Sequence, residues 1–176
     1  MLGPAKSVCG MAASGFEERT ITFDCPKKGE KFPVETPSHV AGMITFKNGV
    51  VATVTTSFDT WGHGIPFIEV YGTKGTLRMP NPDTFGGPIF YLKEGENEFK
   101  EAPASYPYSE NSRGVGVADM AKCILEGGAH KAQGKMALHV LEILKGVLES
   151  GKTQTYVELQ TTCERPEAFE DKNIHL

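Results

Sequence analysis

Asn48-Gly49, set between two runs of alternating small, β-branched and apolar residues, constrains this chain more than any other feature of it. An Asn-Gly pair in that setting predicts a two-residue hairpin turn of type I′, with both central residues at positive φ. With Lys47 and Val50 closing the loop, Phe46 faces Val51, Ile44 faces Thr53, Gly42 faces Thr55 and Val40 faces Ser57. The other side of the pleat then carries Ala41, Met43, Ala52, Val54 and Phe58. One face is rich in Thr and Ser and the other is aliphatic, so helices are expected behind the sheet and something other than core in front.

Around this hairpin the pattern stays strand-like for about the first hundred residues. Residues 5–13 read as a first strand. Residues 14–33 are polar, carry Lys27-Lys28-Gly29, and read as an inserted loop whose weak alternation at 20–23 suggests an edge strand. Residues 67–71 and 76–79 alternate on either side of a turn spanning Gly72 to Gly75, which predicts a second hairpin. A Pro- and Gly-rich loop over 80–88 precedes strands at 89–92 and 98–101. The period then changes to that of helices. Val117, Met120, Ala121, Ile124 and Leu125 form one helical face stopped by Gly127-Gly128. Ala137, Val140, Leu141, Leu144, Val147 and Leu148 form another, widened by Met136 and Ile143 and stopped at Gly151. A strand over 155–159 follows, and residues 167–176 read as a flexible tail.

The 176 residues suffice for one compact domain. Eighteen basic against 22 acidic side chains, a net charge of -4 and a pI near 5.8, without blocks of like charge, argue against nucleic acid as a partner. No apolar run approaches the ~20 residues of a membrane span and the N-terminus lacks a signal-peptide core, so a soluble cytoplasmic protein is expected. Cys9, Cys25, Cys123 and Cys163 lie far apart without CxxC spacing and read as small hydrophobes in a reducing compartment. His39, His63, His130, His139 and His175 show no metal-ligand spacing, so no metal is expected.

Four phrases, SFDTWGHGIPFIEVYGTKGTL (57–77), NSRGVGVADM (111–120), ALHVLEILKGVLESG (137–151) and VELQTTCERP (157–166), together resemble the C-terminal domain of the Gfo/Idh/MocA oxidoreductases in order and spacing. The resemblance implies an α+β fold: an open-faced, mainly antiparallel mixed sheet with two or more helices on one face, of the glyceraldehyde-3-phosphate dehydrogenase C-terminal-domain kind. It implies a single C-terminal substrate-recognition and oligomerisation domain over 1–176, whose N-terminal Rossmann domain is absent from this chain. The parent enzyme would be an NAD(P)-dependent dehydrogenase passing hydride to or from a sugar, polyol or related hydroxy compound. NAD or NADP would bind the full-length enzyme and none is expected on this chain, which should be inactive alone. The open sheet face would build a homo-oligomer. The competing readings are a non-catalytic regulatory or binding protein of the same architecture, and a free-standing interaction module.

The family's cofactor and catalytic motifs find no true counterpart. Gly114-Val115-Gly116-Val117-Ala118-Asp119 opens a helix but has Asp in place of the third Gly of a dinucleotide fingerprint and follows a loop. Glu30-Lys31-Phe32-Pro33 interrupts the Glu-Lys-Pro motif with Phe, and Asp59-Thr60-Trp61-Gly62-His63 leaves a strand where the Asp-x-Gly-x-His motif lies on a helix. Catalytic and cofactor-binding residues are therefore expected outside the chain.

Four residues stand out as candidate substrate contacts. Trp61 and His63 sit where a strand bends into Gly62 and Gly64, and a stacked ring with hydrogen-bonding neighbours suits a sugar. Asn111 and Arg113 precede a helix N-terminus and suit an anionic or hydroxyl-rich ligand. The structural alternatives are that Trp61 covers the sheet end, that His63 bonds nearby backbone, that Asn111 or Ser112 caps the helix, and that Arg113 reaches Asp119. Thr53, Thr55, Ser57 and Asp59 read as a polar wall or, preferably, as part of a subunit interface. His139 reads as a histidine at the edge of the core.

Overall fold

The computed structural model describes residues 2–103, 108–110 and 112–169. They form two compact units: residues up to Gly62 together with Ala132–Pro166, and His63–Lys131 together with residues from Glu167 on. The fold is α+β with two helices, and every ladder described is antiparallel.

The first unit is built on β1 (Ala5–Ala13), β4 (His39–Phe46), β5 (Val51–Ser57) and β10 (Val157–Glu158), in the order β10-β1-β4-β5. The polar segment expected as a loop holds a small hairpin, β2 (Glu18–Thr20) with β3 (Lys31–Pro33), so its strand starts earlier than the 20–23 alternation suggested. The second unit holds β6 (Ile68–Gly72), β7 (Gly75–Met79), β8 (Phe90–Lys93) and β9 (Lys100–Glu101) as a separate meander, and α1 (Val115–Glu126). The strands described thus divide between two four-stranded sheets and the β2–β3 hairpin where one broad sheet was expected. Gly62, Gly64 and Pro66 fall in the stretch between β5 and β6, where regular strand pairing does not persist.

The Asn48-Gly49 hairpin forms, but not with a type I′ turn. Gly49 alone takes positive φ, at 86°. Its N–H donates to Phe46 O at 3.0 Å, Phe46 N–H donates to Val50 O at 2.9 Å, and Asn48 Oδ1 accepts from Val50 N–H at 3.2 Å. This is the turn with a glycine bulge, one residue longer than expected. Its consequence is a register shifted by one: Ile44 pairs with Ala52, Gly42 with Val54 and Val40 with Thr56, while Met43 pairs with Thr53 and Ala41 with Thr55. Met43 and Ala41 therefore join the threonines on one face, and Ile44 and Val40 join the aliphatic side chains on the other.

α2 (Gly134–Thr153) covers the aliphatic face, and it does so with a face of its own that periodicity did not single out. Its buried residues are His139, Gly146, Val147 and Ser150, whereas Leu138, Val140, Leu141 and Leu144 are exposed. The reason lies in the strands. Gly10 and Gly42 are cross-strand partners, and a Cβ on either would stand 2.6 or 2.8 Å from Val147 Cγ1. The two glycines make a hollow that admits Val147, and Val8 fills the matching hollow at Gly146, where a Cβ would meet its Cγ2 at 2.8 Å. Close approach of helix and sheet selects the small-residue face over the leucine face. Gly151 does not stop the helix. It runs on to Thr153, and Gln154 ends it in the left-handed region at φ 56°, its N–H bonded to Ser150 O at 2.8 Å.

Candidate functional site

The three predicted contact residues that are described are not gathered into one site within either unit. Trp61 lies at the end of the first unit with 97% of its surface exposed. His63 and Arg113 belong to the second unit and are exposed, and Asn111 lies outside the described residues. His63 Nδ1 is 3.0 Å from Ile65 O, and its ring meets Phe67 edge to face at 5.5 Å. A carbonyl can only accept, so Nδ1 carries the proton and, in the neutral ring, Nε2 is left as an acceptor suited to a hydroxyl group. At the start of α1 the cap is Gly114, at φ 100° without a side-chain hydrogen bond. The cap expected of Ser112 therefore does not form, although Ser112 O accepts from Val115 N–H at 3.2 Å. Asp119, buried, is engaged by Lys131 and not by Arg113: it accepts from Lys131 N–H at 2.7 Å, with Lys131 Nζ at 3.7 Å.

A concave feature of the first unit is a shallow basin of about 510 Å³ on the open face of its sheet. Cys9, Met11, Met43, Thr53 and Thr55 form its floor and Gln154 and Tyr156 its rim. Met11 and Met43 are 66% and 47% exposed. Sulfur, methyl and hydroxyl groups line it without a carboxylate, histidine, lysine or arginine, so it can hold an apolar surface and exchange a few hydrogen bonds. The shift in register places Met43 beside Thr53, which makes this face more apolar than its threonines alone suggested.

Two polar clusters of the same unit are held by internal bonds, although Arg19 Nε in the first is buried without a hydrogen-bond partner. Asp59 accepts from Ser38 Oγ at 2.7 Å and Gly15 N–H at 3.0 Å, and pairs closely with Arg19. These bonds, led by that from Ser38, hold its carboxyl below the usual aspartate value. Arg19 also donates to Phe58 O at 2.7 Å. Asp59 therefore ties the β2–β3 hairpin to the end of β5, a structural clamp and not a proton carrier. Ser57 Oγ lies 2.9 Å from His39 Nδ1, but Asp59 has its oxygens committed elsewhere, so no Ser-His-Asp relay forms.

The second cluster centres on His139, 2% exposed, which sequence reasoning put at the edge of the core. Its Nε2 accepts from Ala5 N–H at 2.9 Å, which leaves Nδ1 as the donor to Thr161 Oγ1, also at 2.9 Å. Thr161 Oγ1 in turn donates to Glu142 in a short bond, and Glu142 further accepts from Gln160 N–H at 2.7 Å and Thr161 N–H at 2.8 Å. These bonds, led by the Thr161 hydroxyl, lower the carboxyl of Glu142. The chain of donors runs in one direction and joins β1, α2 and the segment after β10. The signal for it in the sequence is the i, i+3 pair His139 and Glu142, which lies off the leucine stripe. Among the described residues no group of three or more His, Cys, Asp or Glu side chains could hold a metal ion, and no helix is long and apolar enough to cross a membrane.

Residues 1–78 match the family model of the GFO/IDH/MocA C-terminal domain, in agreement with the resemblance carried by the sequence. No curated protein matches the chain. Among solved structures, levoglucosan dehydrogenase in complex with NADH and L-sorbose superimposes with a TM-score of 0.68 at 21% identity, covering 90% of this chain and 46% of that one. An oxidoreductase domain protein from Kribbella flavida gives 0.67 at 20%, covering 89% and 44%. An NAD binding oxidoreductase from Klebsiella pneumoniae gives 0.67 at 18%, covering 90% and 46%. The chain has their fold over nearly all its length and spans less than half the length of each.

Proposed function

We propose that this chain is the substrate-recognition and oligomerisation half of an NAD(P)-dependent oxidoreductase acting on a sugar, polyol or related hydroxy compound. The observation that carries the reading is the match of nine-tenths of the chain to under half of a dehydrogenase solved with NADH and a sugar. In this reading the nicotinamide cofactor belongs to a Rossmann domain of the longer protein, which also supplies the catalytic groups, and the 176 residues alone have no dehydrogenase activity. Trp61 offers an aromatic face for stacking on a sugar ring, His63 Nε2 an acceptor, and Arg113 with Asn111 donors for hydroxyl or anionic groups. The open sheet face of β1, β4 and β5 serves for assembly with further copies. Its exposed Met11, Met43, Val51, Thr53 and Thr55 have the mixed apolar and polar character of such interfaces.

Trp61 is the single tryptophan of the chain, so its fluorescence reports on the proposed stacking directly. Titration with cyclic sugars, sugar acids and inositols should give a saturable change in emission that His63→Ala weakens, and calorimetry should show binding that Trp61→Ala removes. A panel that leaves the emission unchanged at millimolar concentration overturns the assignment of Trp61. Light scattering across a concentration range tests the assembly surface: a dimer or larger species should dissociate in Met43→Asp, and a monomer at every concentration refutes that part.

A further inference from the structure

Three sulfur-bearing side chains meet on the floor of the open-face basin. Cys9 on β1 and Met43 on β4 are directly opposite partners, Met11 is the next residue of β1 on the same face as Cys9, and Ala41 is the partner of Met11. All four line the basin. Their Cβ atoms mark a rectangle of about 5 Å by about 7 Å, and three of its corners carry sulfur. The last corner, Ala41, leaves space above itself. With 6 Met and 4 Cys among 176 residues, chance rarely sets three of them on adjoining corners of a sheet.

Together these side chains make a ligand set for a soft metal ion. Cys9 is a free thiol, which becomes an anionic ligand on losing its proton, and Met11 and Met43 supply neutral thioethers. Both methionines are exposed, and each sulfur stands one methylene beyond its Cβ on a rotatable stem, so the sulfurs can converge above Ala41. One thiolate with two thioethers balances the charge of a monovalent cation, and ligand softness selects Cu(I). No carboxylate, histidine, lysine or arginine lines the basin to favour a harder ion. We infer that Cys9, Met11 and Met43 form a three-coordinate site for Cu(I). Binding forms a sulfur–copper bond as the S–H bond of Cys9 breaks, delivers that proton to solvent, and changes no oxidation state. The site owes nothing to the substrate reading, since neither Trp61 nor His63 enters it, but it lies on the face proposed for assembly.

The test uses the whole chain, labelled at its methionine methyls and kept anaerobic, with Cu(I) added as its acetonitrile complex. A single equivalent should shift the methyl signals of Met11 and Met43, leave those of Met79, Met120 and Met136 in place, and release a proton for each ion bound. Zn(II) at the same concentration should leave all of them unmoved. Competition with a chromophoric Cu(I) chelator gives the affinity. Cys9→Ser should abolish it, and Met11→Leu with Met43→Leu should lower it about tenfold or more, since even groups that only orient a metal ligand are worth that much. Exchange of methionine for leucine conserves volume, so the far-UV circular dichroism of the variant should match the parent. Light scattering on the same samples separates the two readings of this face: a monomer that binds Cu(I) refutes assembly and supports the site, whereas an oligomer that does not bind it refutes the site. Unmoved Met11 and Met43 signals, undiminished affinity in the double leucine variant, capture by Cys25, Cys123 or Cys163 ahead of Cys9, or the same shifts with Zn(II) overturns the inference.

Discussion

His139→Leu should be among the most damaging single substitutions in the first unit, although His139 touches no proposed ligand. Leucine has nearly the volume of histidine, so the cavity contribution is small and the cost is that of hydrogen bonds. Ala5, 1% exposed, loses the acceptor for its N–H at Nε2, and a buried unsatisfied donor costs about 1–3 kcal/mol. Thr161 Oγ1 loses the Nδ1–H donor, a further ~1 kcal/mol. The sum is about 2–4 kcal/mol, and a urea slope of about 2 kcal/mol/M converts it to a fall in midpoint of about 1–2 M. Urea unfolding followed by far-UV circular dichroism measures it, with Leu141→Gln on the exposed face of the same helix as a control that should shift stability by no more than ~0.5 kcal/mol. Hydrogen exchange supplies the local readout: the Ala5 amide should be protected in the parent and lose that protection in His139→Leu. A midpoint within ~0.3 M of the parent, or an Ala5 amide that exchanges slowly in both, would refute the reasoning that this relay holds β1 to α2.

Three further outcomes are expected. Gly42→Ala forces a methyl toward Val147 Cγ1, at 2.8 Å, and should lower stability by about 1–3 kcal/mol, with Val147→Ala in the same chain restoring part of it in a double-mutant cycle. Ser150→Ala deprives Gly10 N–H (3.1 Å) and Thr155 O (2.6 Å) of their shared partner and should destabilise by about 1–3 kcal/mol by thermal or urea unfolding. The carboxyl of Asp59 is lowered from 3.8, chiefly by Ser38, so its contribution is present above that value and is lost as pH falls through the lowered one. Acid titration by NMR should accordingly show the Gly15 amide released below pH 3.8, and Asp59→Asn should remove that pH dependence; release already near neutral pH would contradict it.

Apart from the β2–β3 hairpin inside the polar segment, the strand segments, the hairpins at Asn48-Gly49 and Gly72–Gly75, the change to helical period near residue 115 and the family resemblance were legible in the amino-acid sequence, because each rests on local spacing or on residues adjacent in the chain. The candidate site was legible only as residue types. Trp61 and His63 follow from a strand that breaks at glycines, but they fall in different units, and Asn111 lies outside the described residues. What local patterning could not supply was any choice made by a remote part of the chain. The hairpin register turned on whether Val50 N–H and Phe46 N–H close a turn with one left-handed residue or two, which moved every β4 side chain past its β5 partner by one. The importance of His139 depended on Ala5 and Thr161, far from it in sequence. The face that α2 turns to its sheet was decided by Gly10 and Gly42, more than a hundred residues away. A hydrophobic period identifies a helix and its most apolar stripe, yet burial goes to the face that permits the closest approach. Here the strands present a hollow that fits Val147 and leaves the leucines outside.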